Sequence, residues 1–416
     1  MGMKGRMLAA FAGALVVAAV AVTVAFGARQ ADPGVTATSV TIGGTFPLTG
    51  VASLYKTIPA AEKAYFDYVN DHGGVNGRKI NFDILDDGYN PAQTVPLTQQ
   101  LVEQTKVFAD FGSLGTPSNL SIWGYLNSNK VPQVLIATGD SYWGFSYKKY
   151  PWTIGWQPDY PGEGKIYGKY LDAKMPSAKI GVLYQNDAFG KNYYAGLRVG
   201  LGAKKSNIVS AQSYDPSQTN VTQQILALKS AGADVLVIFA LPTQAITALV
   251  TATKVGWTPS ATIVGNVSAN RLFLLAAAAN GANVDGVISS AYTVSSTYAP
   301  QANLPGVKLA KAIISQYAPS LSTSLAEGDG NVIYGLGAAW TFVYALQHAG
   351  KTPTRAGLMA ALKSMHNVVN PFTYPGIKMN TSATDNFPIE QDILVKWAGG
   401  AGGDWTPFGT LYNGVR

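Results

Sequence analysis

The chain has 416 residues, of which 30 are basic and 23 acidic, giving a formal net charge of +7, and it contains no cysteine. The lack of cysteine excludes thiol catalysis, disulfides, cysteine-based zinc sites and anchoring through a lipid-modified cysteine. The basic residues form no run longer than Lys148-Lys149 or Lys204-Lys205, which favours solvated surfaces over a patch that binds nucleic acid.

The first 27 residues have the pattern of an export signal. Lys4 and Arg6 precede an apolar run from Met7 to Phe26, and the small residues up to Gly27 offer a cleavage point. The run also reaches the ~20 residues that a membrane-spanning helix needs. We therefore expect residues 1–27 to be a signal peptide or a retained N-terminal anchor. The rest of the chain is expected to act in the periplasm or at the outer face of the cytoplasmic membrane.

From residue 40 onward, short apolar runs alternate with helical patterns, which predicts parallel sheets with helices on both faces. A first series of strands is predicted at 40–46, 80–85, 107–111 and 131–136, and a second at 179–184, 208–211, 235–240 and 262–264, followed by a run at 286–291. Helices are predicted over 52–70, 188–200, 221–231, 243–255, 305–317, 330–349 and 354–364, and further short strands around 371–378 and 389–397.

The two series predict an α/β fold with two Rossmann-like lobes whose parallel sheets are joined by a multi-crossover hinge. Subtracting the first 27 residues from 416 leaves 389, which exceeds the ~100 to 200 residues of one ordinary domain. Lobe one is predicted to comprise 36–156 and 289–365, and lobe two 157–288 and 366–416, because the crossovers fall where one series of strands ends and the next begins.

Motifs for catalysis, nucleotide binding and metal binding are missing. Ala345 stands where a P-loop ending in Gly350-Lys351-Thr352 needs its first glycine, and no G-x-S-x-G elbow occurs. The histidines lack the spacing of metal ligands; they are His72, His348 and His366. We expect no enzymatic activity, no metal and no cofactor.

Two polar loops follow predicted strands. One runs from Gly112 to Asn119 and the other from Ala137 to Ser141. In open α/β sheets, ligands bind outside the carboxyl ends of the strands, and a helix that begins there favours an anionic group such as a carboxylate. Small polar residues are also ordinary turn formers. The loops therefore indicate a candidate site, with plain turn chemistry as the alternative.

The sequence resembles the type I periplasmic binding proteins, and in particular those similar to the leucine/isoleucine/valine-binding protein. The similarity covers essentially all residues after the export signal. The matching segments, in order, are Val40–Gly43, Pro47–Gly50, Gly73–Ile80, Asp86-Asp87, Asn90-Pro91, Gly115–Pro117, Tyr150–Pro158, Asn186–Gly190, Tyr334, Pro375–Ile377 and Asn380–Ser382.

The resemblance implies the extracytoplasmic solute-binding component of an ABC importer. Such a protein closes two lobes on a small organic ligand, here an amino acid or an aromatic or aliphatic carboxylate, and delivers it to a membrane permease. A ligand-sensing module of a signalling system is the alternative. A monomer that does not bind nucleic acid is expected in either case.

The resemblance also implies a set of ligand-binding residues. Gly115, Thr116 and Ser118 match the loop that holds the ligand carboxylate, and the second loop contributes Thr138, Gly139, Asp140 and Ser141. The cleft rim and the opposite lobe contribute Tyr55, Phe189, Phe239, Leu241, Asn266 and Tyr292.

One departure from the family pattern concerns ligand charge. The amino acid binders of the family place a carboxylate after the eighth strand to hold the ligand ammonium, whereas Gly265–Ser268 contains no acid. Burying an ammonium without a counter-charge is strongly unfavourable. Either Asp140 or Asp187 serves instead, or the ligand has no ammonium. We expect deaminated or aromatic acids to bind better than leucine, isoleucine or valine, with Asp140 as the main alternative partner for an amine.

Overall fold

The computed structural model describes residues 31–413. The predicted signal peptide or anchor at 1–27 lies outside this range. Within residues 31–413, no helix is both long and apolar enough to cross a membrane.

The first sheet has five parallel strands in the order β2-β1-β3-β4-β5. Its strands are β1 Ser39–Phe46, β2 Lys79–Asp86, β3 Asp110–Phe111, β4 Gln133–Ile136 and β5 Thr153–Gly155. The helices between them are α1 Thr57–Asp71, α2 Pro91–Gln99, α3 Thr116–Ser128 and α4 Tyr142–Phe145. Val40 pairs with Ile80 in the register between β1 and β2, and both side chains are buried. This sheet is the centre of lobe one.

The second sheet has seven strands in the order β12-β11-β10-β9-β8-β6-β7, of which β11 and β12 are antiparallel to their neighbours. Its strands are β6 Ile180–Gln185, β7 Ile208–Tyr214, β8 Val235–Phe239, β9 Ala261–Val264, β10 Ile288–Ala291, β11 Gln391–Ala398 and β12 Asp404–Asn413. Its helices are α5 Tyr160–Lys174, α6 Ala188–Leu201, α7 Thr222–Ser230, α8 Pro242–Lys254 and α9 Arg271–Ala279. This sheet is the centre of lobe two.

The chain crosses between the lobes three times, after β5, after β10 and before β11. Between the last two crossings it forms α10 Pro305–Tyr317, α11 Ser322–Ala326, α12 Gly330–His348 and α13 Arg355–Leu362. Helices α10 and α12 pack on α1, and so belong to lobe one. The predicted α/β fold with two parallel-dominated sheets and several crossovers is confirmed.

Local differences from the predicted elements follow from short or irregular segments. Strands β5 and β12 were not predicted, and the predicted helix over 52–70 begins only at Thr57, after a 3₁₀ turn over Gly50–Tyr55. The strand predicted around 371–378 is wrong. This segment makes only isolated bridges because the chain turns at Gly376, which has φ of +95°; its apolar side chains Phe372 and Ile377 are nevertheless buried.

The lobe boundaries stay a prediction. The pairing of strand β10 and the packing of residues after 366 differ from the predicted boundaries. Strand β10 pairs within the second sheet, whereas lobe one was expected to resume at residue 289. The buried side chains of Val368, Phe372 and Met379 share one hydrophobic core with Val40 of β1, whereas residues from 366 onward were expected in lobe two. Both boundaries would therefore move toward the C-terminus.

Helices α5 and α6 approach closely through four glycines, Gly164 and Gly168 on α5 and Gly196 and Gly200 on α6. A Cβ atom on Gly196 would lie 2.1 Å from the backbone oxygen of Pro161, and one on Gly168 would lie 2.4 Å from the backbone oxygen of Leu197. Small residues at a spacing of four allow two helix backbones to touch in this way. The contact holds the start of α5 against the second half of α6.

Asp110 in β3 provides a test of how buried carboxyls affect stability. The side chain is 1% exposed; Ser113 Oγ donates to its Oδ1 at 2.7 Å, and its Oδ2 has no partner in the described structure. Burial raises the pKa of Asp110 to about 7. Because the folded state disfavours the ionised form, stability is greatest below the unfolded pKa of ~3.9 and falls as the pH rises toward 7.

We expect Asp110→Asn to flatten this dependence, because the asparagine oxygen still accepts from Ser113 and no charge forms. Between pH 4 and pH 8, the free energy of unfolding of the variant should rise by about 2–4 kcal/mol relative to that of the wild type. Urea unfolding at the two pH values measures the difference, with exposed Asp285→Asn as the matched control. A wild type and a variant with parallel pH profiles would contradict this expectation.

Candidate functional site

A large pocket lies between the lobes, at the carboxyl ends of several strands of both sheets. It contains about 1250 Å³ of empty space, part of which is open to solvent. Clefts at this edge of parallel sheets are where α/β proteins bind ligands. Its walls come from both lobes and from the crossing segments.

The lobe-one wall is formed by the start of α3. Gly115 precedes the helix with φ of +105°, and Thr116 is its first residue. The hydroxyl oxygens of Thr116 and Thr138 lie 2.5 Å apart. The free N–H groups and the positive end of the helix dipole favour an anion at this position. A ligand carboxylate fits here, beside the Thr116 hydroxyl.

Two tyrosine rings pack on glycines of the two lobe-one loops, Gly115 at the pocket and Gly139 beside it. A Cβ atom on Gly115 would lie 2.6 Å from the ring of Tyr89, and one on Gly139 would lie 2.8 Å from the ring of Tyr160. Burial raises the pKa of both tyrosines, so their hydroxyls keep their protons at neutral pH. Gln185 Nε2 donates to the Tyr89 oxygen at 3.3 Å, which leaves the Tyr89 proton available to a ligand.

The lobe-two wall combines polar and apolar side chains. Asn266 follows β9, and Phe189, Leu241 and Tyr292 lie around it on the pocket surface. The ring of Phe189, in the first turn of α6, is edge-on to that of Tyr160, the first residue of α5, with centroids 5.1 Å apart. The close packing of α5 and α6 therefore brings both aromatic rings to the pocket.

The crossing segments form the third wall. Gln157 lies between β5 and α5, and the Tyr334 hydroxyl of α12 donates to its Oε1 at 3.1 Å. Tyr55 of lobe one donates to the backbone oxygen of Val267 in lobe two at 3.0 Å. This second bond joins the two lobes directly across the cleft.

Charged side chains are almost absent from the pocket. Among the residues that the structure describes, only Arg271 and Asp404 line it with a formal charge, and Arg271 Nε lies 3.7 Å from Asp404 Oδ1. Arg271 also donates to the backbone oxygens of Gly403 and Glu327. Because Asp404 is paired with Arg271, the pocket presents no unpaired carboxylate.

Asp140 and Ser141 join the lobes instead of lining the pocket. Asn192 of α6 donates through Nδ2 to Asp140 Oδ2 at 2.9 Å, and Ser141 Oγ donates back to Asn192 Oδ1 at 3.2 Å. Burial raises the pKa of Asp140 to about 6. The other acid considered from the sequence, Asp187, caps α6 and accepts from Gln185. Neither acid faces the pocket.

The predicted site residues thus divide into two groups. Those that line the pocket are Tyr55, Gly115, Thr116, Phe189, Leu241, Asn266 and Tyr292. Those that do not are Ser118, Thr138, Gly139, Asp140, Ser141 and Phe239. Ser118 Oγ lies 3.0 Å from Thr94 Oγ1, and Phe239 stacks on Tyr193 behind the wall. Thr138, Gly139 and Asp140 border a small neighbouring cavity. That any of them binds a ligand stays a prediction.

Several pocket residues were not predicted, namely Tyr89, Gln157, Tyr160, Ser290 and Tyr334. Tyr89 follows β2, so the rule that selected the other loops after strand ends would have found it. Gln157, Tyr160 and Tyr334 reach the pocket only because the crossings fold back on the cleft.

Residues 39–403 match the family model described as periplasmic binding protein. The chain belongs to the periplasmic binding protein family. Members of this family are substrate-binding proteins that act outside the cytoplasm.

Solved structures of periplasmic binding proteins have the same fold. A fatty acid ABC transporter substrate-binding protein from Thermomonospora curvata is 23% identical with a TM-score of 0.78, and 92% of this chain and 95% of that chain are covered. A branched chain amino acid ABC transporter protein from Thermus thermophilus with bound valine is 18% identical with a TM-score of 0.79, covering 91% and 97%. A solute binding protein from Rhodopseudomonas palustris in complex with 3,4-dihydroxybenzoic acid is 20% identical with a TM-score of 0.73, covering 91% and 98%.

Among curated relatives, Leu/Ile/Val-binding protein homolog 3 of Brucella melitensis is 25% identical over 216 residues, which are 51% of this chain and 58% of that protein. Homolog 7 of Brucella abortus is 26% identical over 246 residues, covering 57% and 61%. The chain thus spans about three fifths of each relative. The resemblance to the leucine/isoleucine/valine-binding family is confirmed.

Proposed function

We propose that this periplasmic binding protein is the solute-binding component of an ABC importer, which closes its lobes on a small carboxylate and delivers it to a membrane permease. Family membership supports the binding role, and the names of the structural neighbours associate the fold with ABC transporters. The bond from Tyr55 to Val267 and the contacts of Asp140 and Ser141 with Asn192 would be made on closure and stabilise the closed arrangement.

The ligand is proposed to be an aromatic or aliphatic carboxylate without an ammonium group. The neighbours differ in their ligands, as their names give valine for one and 3,4-dihydroxybenzoic acid for another, so the fold alone does not decide between amino acids and other acids. The observation that carries this choice is the pocket itself. It offers an anion position at Thr116 but no free carboxylate to pair with an ammonium.

The buried acid Glu163, behind the lobe-two wall, also supports a ligand without an ammonium group. Glu163 of α5 accepts hydrogen bonds from Tyr167 at 2.5 Å, from Tyr193 at 2.6 Å and from the backbone N–H of Asn266 at 2.7 Å. Burial raises the pKa of Glu163. Its carboxyl is occupied by the protein and does not line the pocket, so it is not available to a ligand.

Titration with leucine and with its keto-acid counterpart 4-methyl-2-oxopentanoate tests the proposal. We expect the keto acid to bind at least about tenfold tighter, because a desolvated ammonium would lack a counter-charge, whereas the carboxylate keeps its partners in both ligands. Calorimetry measures both affinities, after a thermal-shift screen over amino acids and organic acids.

The pair phenylalanine and phenylpyruvate repeats the comparison with an aromatic side chain. Tighter binding of leucine would contradict the proposed ligand class. If that binding also collapsed in Asp140→Asn, Asp140 would be the acid that serves the amine.

A further inference from the structure

The side-chain orientation of Asn266 is determined by its neighbours. Its Nδ2 donates to the backbone oxygen of Ser290 at 2.6 Å. A carbonyl oxygen can only accept, so the amide nitrogen and not the amide oxygen must face Ser290. Asn266 is part of the pocket surface, and no residue in the described part of the chain donates a hydrogen bond to its Oδ1. The pocket therefore receives a hydrogen-bond acceptor of fixed orientation.

The backbone of Asn266 is held equally firmly. Its N–H donates to Glu163 Oε1, and the same carboxyl group accepts from Tyr167 and Tyr193. These bonds connect α5, α6 and the turn after β9, so the acceptor is pre-organised before a ligand arrives.

The Asn266 amide itself favours a donor over an anion. Its oxygen can only accept a hydrogen bond, and its nitrogen already donates to Ser290. The carboxyl of Glu163 behind this wall is occupied by Tyr167, Tyr193 and the Asn266 N–H. A ligand carboxylate therefore belongs at Thr116, on the opposite wall, and the group that meets Asn266 is a donor.

We propose that Asn266 Oδ1 accepts a hydrogen bond from a neutral hydroxyl of the ligand, so that the physiological ligand is a hydroxy acid. This inference rests on the proposed carboxylate-binding function. A neutral amide oxygen satisfies a hydroxyl but does not compensate a buried ammonium. A site that hydrogen-bonds a ligand hydroxyl discriminates against the analogue that lacks it, because its own acceptor is then left unpaired.

Two matched ligand pairs test the proposal and separate the two positions that the hydroxyl can take. The first pair is 2-hydroxy-4-methylpentanoate and 4-methylpentanoate, with a hydroxyl beside the carboxylate. The second is 4-hydroxybenzoate and benzoate, with a remote phenol. In the wild type, the hydroxylated member of at least one pair should bind about tenfold tighter by calorimetry.

Substitution of Asn266 then assigns the effect. In Asn266→Ala, the ratio within that pair should fall to about one. Asn266→Ser serves if the alanine variant does not fold, and exposed Asn280→Ala is the matched control that should keep the wild-type ratio.

Three outcomes would overturn the inference. Equal binding of both members of both pairs would do so, and so would a ratio that survives in Asn266→Ala and Asn266→Ser. If neither these acids nor the keto acids bind, the proposed carboxylate function fails and this inference fails with it. If the acids bind but show no preference for a hydroxyl, the proposed carboxylate function stands and only the assignment of a hydroxy acid is contradicted.

Discussion

Gly196→Ala is expected to destabilise the protein by about 3 kcal/mol, at the upper end of what overpacking a close contact costs. A Cβ atom at this position would lie 2.1 Å from the backbone oxygen of Pro161. A backbone atom cannot rotate away as a side chain can, so α5 and α6 must separate. The separation would also disturb the hydrogen bond from Tyr193 of α6 to Glu163 of α5, which joins the two helices.

The matched control is Gly124→Ala in the exposed part of α3. No atom lies within 4 Å of the Cβ that this change adds, and alanine is favoured over glycine in a helix by about 0.5–1 kcal/mol. Urea unfolding of both variants should therefore give changes of opposite sign. Equal stability of Gly196→Ala and the wild type would show that the helices tolerate a wider separation.

Thr116→Val is expected to weaken binding of the preferred carboxylate by about 10- to 100-fold. Valine preserves the branched shape at the start of α3 but removes the hydroxyl that would contact the ligand, and hydrogen bonds to charged groups are worth about 1.5–3 kcal/mol. The change also leaves the buried Thr138 hydroxyl without its partner. Calorimetry with the acid that binds best in the screen measures the loss.

Ser118→Ala is the informative comparison, because the sequence places Ser118 in the same loop as Thr116. In the structure its hydroxyl faces Thr94 and not the pocket, so we expect its affinity for the acid to stay within about threefold of wild type. A large loss in Ser118→Ala, or none in Thr116→Val, would mean that the carboxylate binds at another wall.

The strand predictions were correct where a clear pattern of apolar residues occurs within a single segment. Strands β1, β2, β6 and β8 are five to eight residues long, with apolar residues in runs or in alternation with polar ones. The helix over Pro305–Tyr317 was predicted with its observed bounds. Strand β5 has three residues, too few for a periodic pattern. β12 lies at the sheet edge and has no fully buried position, and its sequence lacks a clear apolar alternation.

The sequence predicted which loops form the candidate site. It predicted only in part which of their side chains face the pocket. The rule for strand ends found the segment of Thr116, and the family resemblance supplied Asn266; both residues line the pocket. The rule also selected Asp140, whose carboxyl turns toward Asn192. Adjacent residues in a turn point in different directions, and the sequence does not tell which direction leads to the pocket.

The amino-acid sequence by itself determined the α/β architecture, the two series of strands and the absence of an acid after β9, because each depends on residue type and on spacing within a short segment. Tertiary structure alone decided that α5 and α6 touch through glycines, that Glu163 holds Asn266, and that Tyr160 and Tyr334 complete the pocket. These contacts join residues far apart in the chain: Glu163 and Asn266 are 103 positions apart, and Gln157 and Tyr334 are 177 apart. Such contacts are set by how sheets and helices pack together, a property that no local pattern encodes.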